Sequence, residues 1–175
     1  YMISKESHLS TFDGLPTSKK LEILSDSQGL PKSLHLLINQ LKQKYTLQES
    51  QIHCNPKFNH KYALSKLQKK YQIGVCSNSI RNTIETLMHL SALDKYVQLI
   101  ISNEDVTSPK PNPEMYLKAM KTFAVNPKEC LIIEDNDHGV EAALASGGHL
   151  LRVANPDYVT FENISAKIKE IEKTT

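Results

Sequence analysis

The sequence has no tryptophan, only three cysteines among its 175 residues, and almost no excess of charge of either sign. With 21 Lys and Arg against 19 Asp and Glu, the formal net charge is +2, which is too balanced for the basic surface of a nucleic-acid-binding protein. An odd, small number of cysteines does not indicate a disulfide framework, and no run approaches the roughly 18 apolar residues of a membrane span. We therefore expect a protein of the reducing cytoplasm, with neither nucleic acid nor membrane as a partner.

The first fifty-odd residues predict a small helical unit and contain no convincing strand. Thr17 is expected to cap a first helix, and Gly29 is expected to end it. Pro31 suits the first turn of a second helix, because its fixed φ is already helical. The apolar residues of this second helix recur at helical spacing, which predicts one apolar and one wet side: Leu34, Leu37, Ile38 and Leu41.

From about Phe58 onwards, helical segments alternate with short apolar runs. The four runs are QIGVCS, VQLIIS, CLIIED and HLLRVA, and helical patterns of ten or so residues separate them. Alternation of this kind predicts an α/β fold, a doubly wound parallel sheet with helices on both faces. In such sheets ligands bind outside the carboxyl ends of the strands, so functional residues are expected there.

Polar side chains follow the first and second runs. Ser77, Asn78 and Ser79 come directly before a helix start, where hydroxyls, amides and free N–H groups bind phosphate well. A plain helix cap explains the same residues equally well. After the second run, Lys110 stands between two prolines, which limits its freedom and favours binding of an anion, although most lysines are simply solvated.

The third run ends in two adjacent carboxylates, Glu134 and Asp135. Neighbouring carboxylates repel each other unless a cation lies nearby. Mg²⁺ is the natural partner, because it needs only one or two protein carboxylates beside a phosphate and several waters. The alternative is a solvated acid pair at a strand end.

In this order, a serine, a lysine and an acidic pair at strand ends resemble the phosphoryl-transfer site of the haloacid dehalogenase superfamily. The stretches that carry the resemblance are VCSNS, SPKPNPEMYLKA and LIIEDNDHGVEAALASG, and they point to the helical-capped branch that contains phosphoglycolate phosphatases and β-phosphoglucomutases. FDGLPTSKKLEIL resembles the cap segment of that branch, with a glycine turn facing the active site. The resemblance implies a partial helical cap over residues 1–56 and an α/β core over residues 57–175.

The resemblance also implies a role for each site residue. Ser77 and Asn78 would hold the transferring phosphate, with Ser79 beside them, and Lys110 would bridge phosphate and nucleophile. Asp135 would ligate Mg²⁺ directly and Glu134 through water. In the cap, Gly14, Thr17 and Lys20 would contribute to substrate specificity.

The family's nucleophile motif, Asp-x-Asp-Gly at the end of an apolar strand, is not found in this sequence. The nearest string, Thr11-Phe12-Asp13-Gly14, has threonine in place of the nucleophile, so we interpret it as the cap turn. In the family this motif ends the central strand of the sheet, between the strands that bear Ser77 and Asp135. We therefore predict that a strand and a helix, about 25 to 40 residues, precede this chain in a longer protein.

With that strand present, we predict a Mg²⁺-dependent phosphatase that acts on a small phosphorylated metabolite, such as a sugar phosphate, through an aspartyl-phosphate. A β-phosphoglucomutase-type mutase is an alternative, although the position at which those mutases carry an arginine falls near Thr17 in this sequence. A non-catalytic relative that binds only Mg²⁺, phosphate or a partner is another. A response-regulator receiver is disfavoured, because its acidic pair ends the first strand and its lysine follows the last.

Overall fold

The structure is a computed structural model that describes residues 4, 6 and 11–173. From Thr17 onwards, the helices are α1 (Thr17–Gln28), α2 (His35–His53), α3 (Phe58–Leu67), α4 (Arg81–Leu90), α5 (Glu114–Phe123), α6 (Asp137–Ala145) and α7 (Phe161–Glu172). The strands are β1 (Gly74–Cys76), β2 (Leu99–Ile101), β3 (Leu131–Glu134) and β4 (His149–Arg152). Within these described ranges, no helix is both long and apolar enough to cross a membrane.

The strands form two separate parallel pairs. β1 pairs with β2, placing Val75 opposite Ile100, and β3 pairs with β4, placing Ile132 opposite Leu150. No strand among the described residues pairs with the other edge of β1 or β3. The predicted α/β class is confirmed, and the sheet is divided at the position where the sequence analysis expects an absent central strand.

Helices cover both faces of these strands. On one side, α5 and α6 pack against Ile132 of β3 through Tyr116, Met120, Ala142 and Ala143. On the other side, α3 and α7 bury Ala63, Leu67 and Ile164 against the alternate residues of the strands, Leu131, Ile133 and Leu151. Because successive strand residues point to opposite faces, β3 contributes to both apolar clusters, and its carboxyl end is held firmly between the layers.

The first helix of the N-terminal part is anchored by its own small core. Leu21 and Leu24 of α1 are buried against Phe12 and Leu30. Gly29 ends α1 in the left-handed conformation with φ 71°, as predicted. The expected cap at Thr17 is wrong: Pro16, with extended backbone, takes that position, and no side chain caps this end. Thr17 is instead the first helical residue, because the fixed φ of Pro16 lets the chain turn directly into the helix.

The second helix, α2, buries none of its residues. It begins at His35, one short 3₁₀ turn after Pro31, and therefore later than expected. Leu37 and Leu41 are 52% and 42% exposed, and of the apolar residues at helical spacing Ile38 packs against the Phe12 cluster. The helix therefore has the expected apolar side, but that side is not buried, since no described element covers the leucines.

Candidate active site

A cavity of about 320 Å³ lies where α1 and α2 meet the carboxyl ends of β1 and β3. The two walls are held together by contacts between the elements: Thr83 of α4 donates to Gln43 of α2 at 3.1 Å. The cavity wall includes these residues expected from the sequence: Gly14, Thr17, Lys20, Ser77, Asn78, Ser79, Lys110 and Glu134. Asp135 is exposed and does not line it.

Lys110 is buried and forms an ion pair with Glu134 at the base of the cavity. Both side chains are nearly enclosed, with 10% and 11% of their surfaces exposed. Tyr116 of α5 donates a second hydrogen bond to the same oxygen, Glu134 Oε1. Burial and the neighbouring carboxylate raise the pKa of Tyr116 above its usual value, so that its hydroxyl remains a donor. The alternative of a merely solvated lysine is therefore wrong for Lys110.

Asn78 uses its whole amide to position other groups. Its Nδ2 donates to the carbonyl oxygens of Gly14 at 2.8 Å and Lys110 at 3.0 Å, while its Oδ1 accepts from the Lys110 N–H at 3.0 Å. Since both amide hydrogens are engaged, the side chain has no donor left for a phosphate. In this arrangement Asn78 sets the position of Lys110 and of the Gly14 turn, rather than facing a ligand itself.

Ser77 stands at the end of β1, where the Ser77 N–H still bonds Ile101 at 2.9 Å. Its Oγ accepts from the Ser79 N–H at 3.2 Å, which folds the chain into a tight turn and leaves the hydroxyl hydrogen of Ser77 to donate. Cys76 precedes it, and burial raises the pKa of its thiol to about 12. This thiol is therefore protonated at neutral pH and does not act as a nucleophile.

The two carboxylates expected to hold a magnesium ion, Glu134 and Asp135, are adjacent at the end of β3. Glu134 Oε2 is the oxygen that neither Lys110 nor Tyr116 contacts, and it lies where a side chain at Gly139 would be: a Cβ there would come within 2.1 Å. Within the described chain, no three His, Cys, Asp or Glu side chains cluster as a complete metal site. Two carboxylates beside a phosphate nevertheless suit Mg²⁺, which keeps several waters, so the donor set fits this ion.

The Gly14 turn closes the cavity from the helical side. Gly14 has φ 73°, and a Cβ would lie 2.3 Å from Oδ1 of Asn136, so a side chain at this position is both strained and obstructed. Asn136 in turn donates to Asp13 at 2.9 Å and caps α6 by accepting from the His138 N–H. The turn therefore rests directly on the loop that follows the acidic pair.

Sequence reasoning missed several residues of this site: Asn39, Lys42, Gln43, Asn103, Tyr116 and Asn136. A signal existed for two of them. Asn136 directly follows the acidic pair, and Tyr116 lies in the first turn of the helix that follows Lys110. The polar residues of α2 carried no signal, because the polar side of any exposed helix has the same composition.

A strand-end serine, a buried lysine and Glu134 line one cavity at the carboxyl ends of parallel strands, which is where α/β proteins bind their ligands. Comparison with known families agrees: the model of the haloacid dehalogenase-like hydrolase family matches residues 1–153. The chain belongs to this family, and the recognition made from its motifs is confirmed.

Curated proteins and solved structures resemble this chain over much of its length. The pyrophosphatase PpaX of Bacillus mycoides is 28% identical, with 63% of this chain and 64% of that protein covered. The crystal structure of β-phosphoglucomutase from Clostridium difficile superposes with a TM-score of 0.75 at 20% identity, covering 90% of this chain and 78% of that one. A family IA hydrolase from Entamoeba histolytica gives 0.77 at 18% identity, covering 97% and 84%.

At such identities the two structures show the shared fold alone. The curated relatives are longer than the parts that match: the shares covered are 64% of the Bacillus mycoides protein and 36% of a Bacillus cereus one.

Proposed function

We propose that this chain carries the phosphate- and metal-binding part of a Mg²⁺-dependent phosphatase for small phosphorylated metabolites. The observation that supports this most directly is the buried Lys110–Glu134 pair facing the same cavity as the Ser77 hydroxyl. A buried ion pair costs desolvation free energy, so its position on a cavity wall favours a binding role over a purely structural one.

Each group has a role in this proposal. The Lys110 ammonium and the Ser77 hydroxyl bind phosphate oxygens, and Asn78 holds Lys110 in place. Glu134 and Asp135 would hold Mg²⁺, which neutralises charge on the transferring phosphoryl group when bound. Glu134 is the one carboxylate among the described lining residues and it is already paired, so the proposed mechanism needs a nucleophile that these residues do not supply.

The test is orthophosphate binding to the chain, measured by calorimetry with Mg²⁺ and with EDTA. We expect binding that Ser77→Ala, Lys110→Met or Asp135→Asn weakens by about tenfold or more, since the first two remove a hydrogen bond or a positive charge at the phosphate and the third removes a proposed ligand of Mg²⁺. Lys121→Met, on the exposed side of α5, is the matched control and should bind normally. Binding that is absent, or that ignores Ser77 and Lys110, would overturn the proposal.

Turnover is measured separately. Release of phosphate from p-nitrophenyl phosphate, pyrophosphate and sugar phosphates, each with Mg²⁺ and with EDTA, separates a phosphatase from a non-catalytic relative. Pyrophosphate is included because of the pyrophosphatase among the relatives. Interconversion of glucose phosphates without net phosphate release would instead establish a mutase.

A further inference from the structure

Helix α3 and the turn after it form a basic segment in a chain that is otherwise balanced in charge. Residues 50–84 contain no aspartate or glutamate. Within residues 57–70 this stretch carries five lysines: Lys57, Lys61, Lys66, Lys69 and Lys70. The near-neutral total of the whole chain, with 21 Lys and Arg against 19 Asp and Glu, therefore includes a strongly basic region.

Most of these lysines have no acidic partner. Lys57 forms an ion pair with Asp157 at 2.7 Å. None of the remaining lysines of this segment forms an ion pair with a residue that the structure describes. Lys66, Lys69 and Lys70 are also exposed, so their charges are available to an anionic group of another molecule.

Aromatic rings lie on the same exposed side of α3. Phe58 stacks on Tyr62 with ring centroids 5.8 Å apart, and Lys66 Nζ lies 5.3 Å from the centroid of the Tyr62 ring. Because Phe58, Tyr62 and Lys66 follow one another at intervals of four residues, they form one row along the helix. Together with the two lysines of the turn we call this row the basic–aromatic face: Phe58, Tyr62, Lys66, Lys69 and Lys70.

The rings distinguish between classes of anionic partner. Tyr62 has Phe58 stacked against it, and its ring meets the edge of Phe161 at 5.8 Å. Phe58, which is 77% exposed, is thus the one ring of these three that stays largely open. A single-stranded nucleic acid stacks successive bases on open rings, and this face does not offer a series of them. A membrane-surface helix needs an apolar side towards lipid, but the apolar side of α3 is already buried against α7.

An acidic peptide segment matches both features of the face. Its carboxylates can pair with the exposed lysines, while one apolar side chain packs against the open ring of Phe58. We propose that the basic–aromatic face docks an acidic segment of another protein, in which aspartates or glutamates flank an apolar residue. This interaction is independent of the proposed function, because none of these residues lines the cavity.

Fluorescence anisotropy of the 175-residue chain with a labelled short peptide, glutamates around a Leu–Phe pair, tests the proposal. We expect binding that weakens about tenfold as ionic strength rises from about 0.01 M to about 0.15 M, where the Debye length falls from about 30 Å to about 8 Å. The same peptide with glutamine in place of glutamate, and the one with glycine in place of the Leu–Phe pair, should each bind about tenfold more weakly at low salt.

Variants locate the binding on the chain. Lys66→Glu, Lys69→Glu and Lys70→Glu combined should weaken binding about tenfold or more, and Phe58→Ala alone about threefold or more. The matched control has the same net charge, because it reverses three exposed lysines elsewhere, and it should bind within about twofold of the unsubstituted chain: Lys44→Glu, Lys121→Glu and Lys128→Glu. Circular dichroism checks that each variant is folded.

Several results would overturn the inference. They are no binding of the acidic peptide, equal binding of its glutamine form, or an equal loss in the matched control. Tighter binding of oligothymidine or of phosphatidylserine vesicles than of the peptide would also overturn it, in favour of a nucleic acid or a membrane. Orthophosphate binding at Ser77 and Lys110 should be unchanged in all of these variants, so failure of the proposed function is a separate result.

Discussion

At the scale of single residues, the site depends on pairs in which one side chain fixes another. Glu134 Oε1 receives both Lys110 and Tyr116, and Gly139 provides the space in which the carboxylate lies. Each of these residues is nearly enclosed, so their interactions act in a poorly solvated environment and are stronger than those of surface pairs. Substitutions here should therefore change stability more than substitutions in surface ion pairs, such as that of Lys57 with Asp157.

The Lys110–Glu134 pair gives a stability prediction. Lys110→Met should lower the free energy of unfolding by about 3–5 kcal/mol, because it leaves a buried carboxylate without its partner. Adding Glu134→Gln should recover part of the loss, since a neutral amide is cheaper to bury. Urea denaturation measures both, with Lys121→Met as the control. Equal stability of Lys110→Met and the unsubstituted chain would show that the pair is not formed.

At the scale of elements, polar residues at the strand ends fix the loops that follow. Asp105, in the 3₁₀ turn after β2, accepts from the Ser102 N–H at 2.8 Å, from Ser102 Oγ at 2.6 Å and from Arg81 at 2.7 Å. These bonds, those from Ser102 first, hold the pKa of Asp105 well below its usual value of 3.8. They also join α4 to the end of β2, beside Asn103.

This carboxylate predicts a pH-dependent contribution to stability. Because its folded pKa is depressed, the contribution is present above pH 3.8 and is lost as the pH falls from there towards the folded pKa. Asp105→Asn should cost about 1–2 kcal/mol at pH 7 and progressively less in acid. The measurement is denaturation at several pH values. Glu141→Gln, exposed on α6, should show no such trend, and a loss for Asp105→Asn that stays constant down to acid pH would contradict the assignment.

Sequence reasoning was strongest where an element has its own signature. The apolar runs located all four strands, and Gly29 located the end of α1, because burial and positive φ each impose a residue type. It also named Ser77, Lys110 and Glu134, which line one cavity in the structure, because polar residues that follow apolar runs are expected near the carboxyl ends of the strands. It could not show that Asn78 would be saturated by backbone groups or that α2 would supply Lys42, because those contacts join segments distant in sequence.

At the scale of the whole molecule, the dominant feature is the divided sheet. In β1 the hydrogen bonds of Ile73, Val75 and Ser77 face β2, so those of Gly74 and Cys76 face the free edge. In β3, Cys130 and Glu134 bond β4, and the groups of Ile133 point away from it. The chain therefore presents two backbone edges at the position of the central strand.

Hydrogen exchange tests this arrangement. Amide protons of Cys76 and Ile133 should exchange about tenfold or more faster than those of Ser77 and Val153, which are bonded within the pairs. Two-dimensional NMR of the 175-residue chain measures all four. Equal, strong protection at Cys76 and Ile133 would show that another segment pairs with these edges.

The hydrogen bonds of Asn78 have a consequence for cooperativity. One amide holds the carbonyl of Gly14 in the N-terminal part and both backbone groups of Lys110 in the α/β part. Movement of α1 and α2 away from the strands would break the bond to Gly14. The Asn78 side chain, which also holds the backbone of Lys110, would then be less firmly fixed. Opening of the cavity and disorder at Lys110 are thereby linked events, and a ligand that bridges both parts would stabilise them together.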